Sequence, residues 1–349
     1  MIFLKPGTAN GYGNPKYQPV IYQIKRSIYF SPSITPLKNI INTSSSPAFN
    51  VLMFSTFWAL QIFFAKLGFN AGALVLPFQL LINIIAFLVL VILILPRVKD
   101  QFKQLFKTQK PLFWTLYLAN GIQAGLGTSL AMVGIALTDA VNAGFLVKFT
   151  AVTTIFFAWI MLKEKITPLK VATVILMLIG VYLLTTKGQA LVPKPGDIFL
   201  IAACFCWSLG SVLIRKFLKD QPLDPDVVTM QKPLASFPIL LVLVLIALAI
   251  NTTVGFADDL FNCCSVNSED FIYGLLTGFC LAMAWIFVYR TLKVSTASYL
   301  TLMSMLTPVI VAVLAILFLG ESLVWVQAIG AGLILISGIV IYYSDMAYV

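Results

Sequence analysis

The sequence lacks histidine and contains few charged residues. Of its 349 residues none is histidine, 10% are charged and 60% are hydrophobic. A soluble globular protein has about 25% charged and about 45–50% apolar residues. Without histidine, the side chain most often used to bind transition metals and to transfer protons near neutral pH is missing. The composition therefore predicts an integral membrane protein, and we expect it to need no metal and no cofactor.

The five cysteines show no spacing typical of a metal or redox site. Cys204, Cys206 and Cys280 lie in apolar stretches, where a cysteine usually acts as a small buried hydrophobe. Cys263 and Cys264 are adjacent in a polar stretch, and no zinc-like pattern includes them. We interpret all of them as structural.

Long apolar stretches recur along the chain from residue 50 onward. A helix that crosses a bilayer needs about 20 mostly apolar residues. Ten stretches meet this length, at 50–68, 74–95, 112–134, 140–162, 168–185, 197–217, 229–250, 271–290, 296–318 and 324–343. Turn and charge signals separate them. The sequence thus predicts an all-α integral membrane protein with ten transmembrane helices.

The net charge of +10 could indicate a nucleic-acid partner, but the positions of the basic residues favour membrane topology. With the N-terminus placed in the cytoplasm, most of the 23 Lys and Arg residues fall on the cytoplasmic side. Only Lys66, Lys187 and Lys194 fall on the other side, and Lys148 lies within a span. Lys232 is counted as cytoplasmic, at the start of the seventh span. This asymmetry follows the positive-inside rule, and it supports ten spans with both termini on the cytoplasmic side. We expect the membrane to be the plasma (inner) membrane.

Residues 1–49 differ from the rest because they are polar, basic and free of acidic residues. They contain no apolar core of the kind found in a cleavable signal peptide. We predict a flexible cytoplasmic tail, of which 20–30 could lie on an anionic membrane surface. Two alternatives stay open: translation could begin at Met53, or the stretch could be an organellar transit peptide, although arginine is scarce in it.

The chain contains an internal repeat. "WALQIFFAK" (58–66) matches "WSLGSVLIR" (207–215), and "LKE" (162–164) matches "LGE" (319–321). The matches divide the spans into two sets of five, over 50–185 and 186–349. Because five is odd, the second set is inserted upside down. Inverted repeats of this kind are typical of secondary transporters, whose substrate site lies near the midplane.

These residues resemble the drug/metabolite transporter superfamily, EamA type. The resemblance also rests on "ALTDAVNAGFL" (136–146), "LKEKITPLK" (162–170) and "STASYLTLMSMLTPVIVAVLAILFLGES" (295–322), and it covers roughly residues 50–344. It implies ten helices in two inverted repeats and transport of amino acids, metabolites or small drugs. Family members commonly have a proline in the fourth helix, corresponding to Pro308 in the ninth. Here Ala151 takes that place, so we expect the first half to lack the symmetric kink.

Lys148 lies close to the centre of the fourth predicted span, about 4–5 Å from the midplane. A charge there costs about 2.5–3.5 kcal/mol on insertion scales. The nearest acid on the same helix, Asp139, is nine residues away. The lysine could be uncharged, hydrated in a transport cavity, or a contact for an anionic group of the substrate; it could also bind helix backbone and hydroxyls such as that of Thr150. We favour an orientation towards a cavity, with Lys148 as a substrate contact.

Further polar and aromatic residues near the midplane are candidates for the same substrate site. They are Trp58, Gln61, Asn120, Gln123, Trp207, Trp285, Thr301 and Ser304. Polar side chains are costly in lipid, so we expect them to face protein or a cavity, although each could instead join helices structurally. Pro308 removes a bond to the carbonyl of Ser304 and is a candidate hinge.

We therefore predict a secondary transporter of small organic metabolites, either amino-acid-like, organic anions or drug-like, that works by alternating access. The alternative is a flippase of the same fold for lipid-linked or amphiphilic substrates. An intramembrane enzyme would need a nucleophile with a base, or metal ligands, at depth, and the sequence offers neither. A receptor or scaffold would need an extramembrane domain to transmit a signal, and the sequence predicts none. The expected partners are the substrate and the lipid bilayer; small-residue patches such as "GIQAGLG" and "GAGLILISG" could also support a homodimer.

Overall fold

The computed structural model describes residues 46–73, 75–138, 140–254, 268–319 and 324–346. Most of the predicted tail lies outside these ranges, as do Asp139, Cys263, Cys264 and Glu321. Within them the regular structure is helical and contains no strand. The predicted all-α class is therefore confirmed for the described residues.

The first set of helices comprises α1 (Pro47–Asn70), α2 (Val75–Leu93), α3 (Leu95–Thr108), α4 (Lys110–Asn120), α5 (Thr128–Ala136), α6 (Ala140–Leu146), α7 (Thr150–Leu162) and α8 (Pro168–Thr186). A π-helical segment, Gly121–Gly127, joins α4 to α5, and a 3-10 turn, Val147–Phe149, joins α6 to α7. Two helix starts carry caps that the sequence explains. The hydroxyls of Ser46 and Thr167 accept from backbone N–H groups three residues later, and a proline follows each cap.

The second set comprises α9 (Gly196–Leu218), α10 (Pro225–Val254), α11 (Ser268–Val294), α12 (Ala297–Met303), α13 (Thr307–Leu319) and α14 (Trp325–Met346). A 3-10 turn, Ser304–Leu306, joins α12 to α13. Thr296 caps α12 by accepting from the N–H of Tyr299 at 3.0 Å.

Eight helices of the described chain are long and apolar enough to cross a membrane. They correspond to every predicted span except the second and the seventh. The second span is α2, which is followed after a bend of 93° by α3, and this pair raises the number to nine if it is taken as one span. The seventh lies in α10, a helix of 30 residues that is not among the eight. A multi-pass membrane protein is confirmed, but the number of ten is not.

The stretch after α2 carries turn and charge signals and is not among the predicted spans. It forms α3, in which Val98 and Leu105 are buried while Lys99, Lys103 and Lys107 are exposed. A helix with a buried apolar stripe and a basic face, set nearly at right angles to a spanning helix, suits the surface of an anionic membrane.

Helix pairs in the two sets correspond. Helix α1 packs along α11, while α9 packs along α4, the π-helical segment and α5. The first helix of each set, α1 or α9, thus packs along the third span of the other set, which is α11 or the run from α4 to α5. Helices α8 and α14, the last of each set, pack against each other.

The α8–α14 contact is a close backbone approach at two glycines. A Cβ atom on Gly180 would lie 2.8 Å from the carbonyl oxygen of Gly330, and a Cβ on Gly330 would lie 2.6 Å from that of Gly180. Small residues allow this kind of approach between helices in membranes. At Gly330, the patch "GAGLILISG" therefore packs within the chain.

We expect Gly330→Ala to destabilise the protein by about 1–3 kcal/mol, because the added methyl group meets backbone atoms that have no room to move. Gly332→Ala is the matched control on the same helix, since a Cβ there meets nothing within 4 Å. That change should be neutral or stabilising by up to about 1 kcal/mol, the usual advantage of alanine over glycine in a helix. Denaturant titration in mixed micelles measures both. Equal effects would contradict the close approach.

Both sets carry the same interruption at the same place. In the first, α6 has seven residues, the 3-10 turn three and α7 thirteen. In the second, α12, its 3-10 turn and α13 have the same three lengths. Lys148 is the middle residue of the first turn, and Met305 is the middle residue of the second.

The first half therefore carries the same helix interruption as the second half, while the expected lack of a kink in the first half stays a prediction. Pro308 removes a backbone donor in the second half. In the first half, where Ala151 replaces the proline, the Thr150 hydroxyl donates to the carbonyl oxygen of Val147 at 2.8 Å. A side chain that binds a carbonyl of its own helix commonly bends or tightens that helix.

Candidate functional site

Lys232, which the sequence did not mark as a candidate site residue, is buried in the helix bundle. Lys232 of α10 is only 7% exposed. Lys232, counted with the cytoplasmic charges, lies about two turns into α10, which begins at Pro225, and its side of the membrane stays a prediction. Asp224 and Pro225 were the available signal, since Asp before Pro is a typical helix start.

The ammonium group of Lys232 contacts an amide and two aromatic rings. Its Nζ atom lies 3.2 Å from Oε1 of Gln123. It also lies 5.1 Å from the ring centroid of Trp285 and 5.4 Å from that of Tyr289. Such distances are typical of cation–π interactions. Within the described chain no carboxylate forms an ion pair with Lys232.

Hydrogen bonds extend this contact over five elements. The Tyr289 hydroxyl donates to Oδ1 of Asn120 and also lies 3.2 Å from Oε1 of Gln123. Nε2 of Gln123 donates to the Ser211 hydroxyl at 2.6 Å. We call this group the Lys232 cluster: Asn120, Gln123, Ser211, Lys232, Trp285 and Tyr289. It joins α4 and the π-helical segment to α9, α10 and α11.

Glycines let the neighbouring helices approach the π-helical segment. A Cβ on Gly210 of α9 would lie 2.7 Å from the carbonyl oxygen of Ala119, and a Cβ on Gly125 would lie 2.5 Å from Ile239 of α10. Single π turns inside α-helices are frequent at functional sites. Here the turn carries Gln123, the residue that links Lys232 to Ser211.

Three of the predicted site residues come together in this cluster. Asn120, Gln123 and Trp285 are buried and share it. Trp207 lies one turn before Ser211 on α9, where its backbone carbonyl oxygen accepts from the Ser211 hydroxyl at 2.8 Å, and its ring lies beside Gly127. Tyr289 was missed, although its spacing of four from Trp285 places both on one helix face.

The other predicted residues lie elsewhere. Trp58 is half-buried and packs on Phe54, with ring centroids 5.7 Å apart, and Gln61 is half-buried on the same helix. The hydroxyls of Thr301 and Ser304 donate to carbonyl oxygens of their own helix. Pro308 follows the second 3-10 turn as the second residue of α13. A role in binding or as a hinge stays a prediction for these residues.

Lys148 is half-buried and has no hydrogen bond or ion pair to the part of the chain that the structure describes. The Thr150 hydroxyl, considered as its partner, donates to Val147 instead. The same turn contacts α9, where the Cys204 thiol donates to the carbonyl oxygen of Leu146 at 3.3 Å. The geometry is therefore compatible with a lysine head that faces an open space.

One end of the bundle is joined by a buried acid. Asp226, 0% exposed at the start of α10, binds Nε of Arg290 at 3.1 Å and Nη2 at 2.8 Å, and it also binds Arg97 of α3. Asp224 caps the helix by accepting from the N–H of Asp226 at 2.9 Å. Burial, and then the Asp226 carboxylate beside it, raise the pKa of Asp224.

The same end holds a contact between the two sets of helices. Glu164, just after α7, accepts from the N–H of Ala297 at 3.3 Å and from the Ser298 hydroxyl at 2.5 Å. The left-handed backbone of Lys163, with φ of 54°, ends α7 and turns Glu164 towards α12. Lys170 lies 3.7 Å from the same carboxylate. A carboxylate at a helix N-terminus is electrostatically favourable.

At the opposite end of the bundle, the carboxylate of Asp197 also joins neighbouring helices, as Glu164 does at the first end. Its carboxylate accepts from the Thr138 hydroxyl at 2.5 Å and from Nδ2 of Asn142 at 3.2 Å. The start of α9 is thereby joined to the α5–α6 connection. No group of three or more Cys, Asp or Glu residues in the described ranges could hold a metal ion.

Comparison with known proteins finds similarity to transporters. The model of the EamA-like transporter family matches two stretches of the chain, residues 45–186 and 194–343. An uncharacterized transporter of Clostridium kluyveri is 29% identical over 304 residues, which are 84% of this chain and 92% of that protein. The uncharacterized transporter YyaM of Bacillus subtilis is 32% identical over 121 residues, which are 33% of this chain and 40% of that protein.

The fold also has a counterpart among solved structures. A crystal structure of another protein superposes with a TM-score of 0.63 at 17% identity, and the match covers 84% of this chain and 95% of that one. At this level of identity the likeness concerns the fold alone. The two matched stretches of the family model fall on the two sets of helices described above.

Proposed function

The chain belongs to the EamA-like transporter family, and we propose that it moves small organic metabolites across a membrane by alternating access. The family match agrees with the resemblance seen in the sequence, and the relatives are named as transporters rather than as enzymes. The observation that carries the proposal is the interruption shared by α6–α7 and α12–α13. Interrupted helices in both halves of a transporter are typical of a binding site near the midplane.

The proposed topology has ten spans in two inverted sets of five. Helix α10 supplies the additional span, because its 30 residues extend about 45 Å and the hydrocarbon core is about 30 Å thick. Helix α2 is counted as one span, with α3 on the membrane surface. An odd number in each set inverts the second set, and the corresponding helix contacts support that relation. We place both termini, and the basic face of α3, in the cytoplasm.

The proposed substrate site combines Lys148 with the Lys232 cluster. Helix α9 connects them, because Cys204 contacts the turn that carries Lys148 and Ser211 contacts Gln123. These two α9 residues are seven apart, or about 10 Å along the helix. Trp207 lies between them on α9 and can supply an apolar wall.

The proposed gate at the end described above is the bond between Glu164 and the start of α12. It joins the first set to the second, so the sets cannot separate there while it is intact. Glu321 holds the matching position in the repeat but lies outside the described residues.

We expect Glu164→Gln to weaken this end by about 1–3 kcal/mol, the usual range for hydrogen bonds to a charged group. The folded protein should melt at a lower temperature, and exchange across the membrane should change in rate, because one of the two closed states is weakened. The matched control is Asp220→Asn, since the Asp220 side chain is 77% exposed beside Lys219. If Glu164→Gln behaves like this control in both measurements, Glu164 is not a gate.

The transport proposal is tested by counterflow into proteoliposomes. Full-length protein is supplied with a mixed pool of labelled amino acids and organic anions, and protein-free liposomes give the background. Accumulation of a labelled solute against the same unlabelled solute is the expected result. Movement of fluorescent lipid between leaflets, without counterflow of any solute, would favour the flippase and contradict the proposal.

A further inference from the structure

Lys232 is a buried cation for which the described chain supplies no anion. The same helix carries a second buried charge, Asp226, which has oppositely charged partners and a structural role. Asp226, less than two turns before Lys232, is bound by two guanidinium groups. Lys232 has only the Gln123 amide oxygen and the faces of two rings. Intramembrane ionisable residues of this kind usually mark a substrate or ion pathway.

Hydrogen-bond donors exceed acceptors in the Lys232 cluster. The ammonium group has three donors, and Gln123 Oε1 accepts one of them. The Tyr289 hydroxyl also lies 3.2 Å from Gln123 Oε1, but its one hydrogen is donated to Asn120 Oδ1. The two remaining ammonium donors have no acceptor among the described residues. Nδ2 of Asn120 makes one long contact of 3.5 Å, to the carbonyl oxygen of Val228. What the cluster can still bind is therefore a hydrogen-bond acceptor.

We propose that the Lys232 cluster binds a carboxylate group of the transported solute, with the apolar part of the solute against Trp285 and Trp207. This inference rests on the proposed function and names its substrate class. A single ammonium group with amide donors matches one negative charge, which favours a carboxylate over a phosphate dianion. Two donors of Nζ remain for the carboxylate oxygens, and Nδ2 of Asn120 is a further donor in the cluster. Charge-assisted bonds of this kind are about twice as strong as neutral ones.

The test compares carboxylates with their neutral amides in the full-length protein in detergent. The probes are propionate and propionamide, phenylacetate and phenylacetamide, and indole-3-acetate and indole-3-acetamide. Binding is measured by isothermal titration calorimetry and by the shift in melting temperature. The wild type should bind at least one carboxylate about tenfold to a hundredfold more tightly than its amide. If no pair shows this selectivity, the inference is overturned.

Variants assign the selectivity to Lys232. Lys232→Met should remove the preference for the carboxylate, whereas Lys232→Arg, which keeps the charge, should retain part of it. Lys216→Met is the matched control, because Lys216 is an exposed lysine 5.9 Å from the ring centroid of Phe217. Retained selectivity in Lys232→Met would overturn the assignment, and the comparison of wild type with probes stands even if that variant fails to fold.

The outcomes separate this inference from the transport proposal. If a carboxylate binds through Lys232 but shows no counterflow, the transport proposal fails and the site stands. If counterflow moves neutral or cationic solutes and no carboxylate binds selectively, the site fails and transport stands.

Discussion

Replacing Lys232 by methionine is expected to abolish transport while stabilising the folded protein. Methionine is an unbranched apolar side chain that fills irregular space well, so it can replace the lysine stem. Replacing a buried ionic group with an apolar one of similar size is often neutral or stabilising, by about 1–4 kcal/mol. Gln123 Oε1 loses its contact with the ammonium group, and the Tyr289 hydroxyl, 3.2 Å away, is the donor in the cluster that can turn to it from Asn120. Stability is measured by denaturant titration in mixed micelles, and transport by counterflow.

Lys216→Met is again the control, since an exposed lysine should change neither quantity by much. A large loss of stability in Lys232→Met would identify Lys232 as a structural element and contradict the binding role. A stable variant with unchanged counterflow would show that the substrate does not use this lysine. The combination of a gain in stability and a loss of transport is typical of a residue kept for function.

Asp226→Asn is expected to have the largest effect on stability, a loss of about 3–5 kcal/mol. Removing the carboxylate charge leaves the Arg290 guanidinium, of which 11% is exposed, without its partner in the bundle. It also releases α3, because Arg97 binds the same carboxylate. Thermal unfolding and denaturant titration in micelles measure the loss.

The comparison with Asp220→Asn separates burial from charge. Asp220 pairs with Lys219 at 3.8 Å in an exposed setting, and such surface pairs contribute about 0–1 kcal/mol. We also expect Arg290→Met to restore part of the stability of Asp226→Asn, because it removes the unpaired cation. Equal losses for Asp226→Asn and Asp220→Asn would contradict the central role of Asp226.

Most of the helices could be predicted from the sequence, because apolar stretches of about 20 residues are a strong local signal. The eight spans that the structure supports follow from hydropathy alone. The bend of 93° after α2 could not be predicted in this way, because "LPRVKDQFKQLFKT" is simply less apolar than its neighbours. That the segment is helical depends on Val98 and Leu105 packing against the rest of the chain.

The candidate site could be predicted only in part. Asn120, Gln123 and Trp285 stand out because amides and tryptophan are rare in apolar helices. Lys232 was counted with the cytoplasmic charges because it lies only three residues into the predicted seventh span, which begins at 229, whereas the helix starts at Pro225. A lysine at the membrane surface and a lysine buried between helices look the same in the sequence, so only the packing distinguishes them.

The sequence by itself determined that this is a membrane protein of duplicated helical sets, since hydropathy, basic-residue asymmetry and repeated motifs depend on neighbours along the chain. Only the tertiary structure decided which polar side chains meet. Gln123, Ser211, Lys232 and Tyr289 are separated by long stretches of sequence and come together through helix packing. The tertiary structure also decided that the first half is interrupted without a proline, because the Thr150 hydroxyl takes the carbonyl at Val147. Local patterns specify each helix and mark small-residue patches such as "GAGLILISG", but only the tertiary structure decides which helix packs there, as at Gly180 and Gly330.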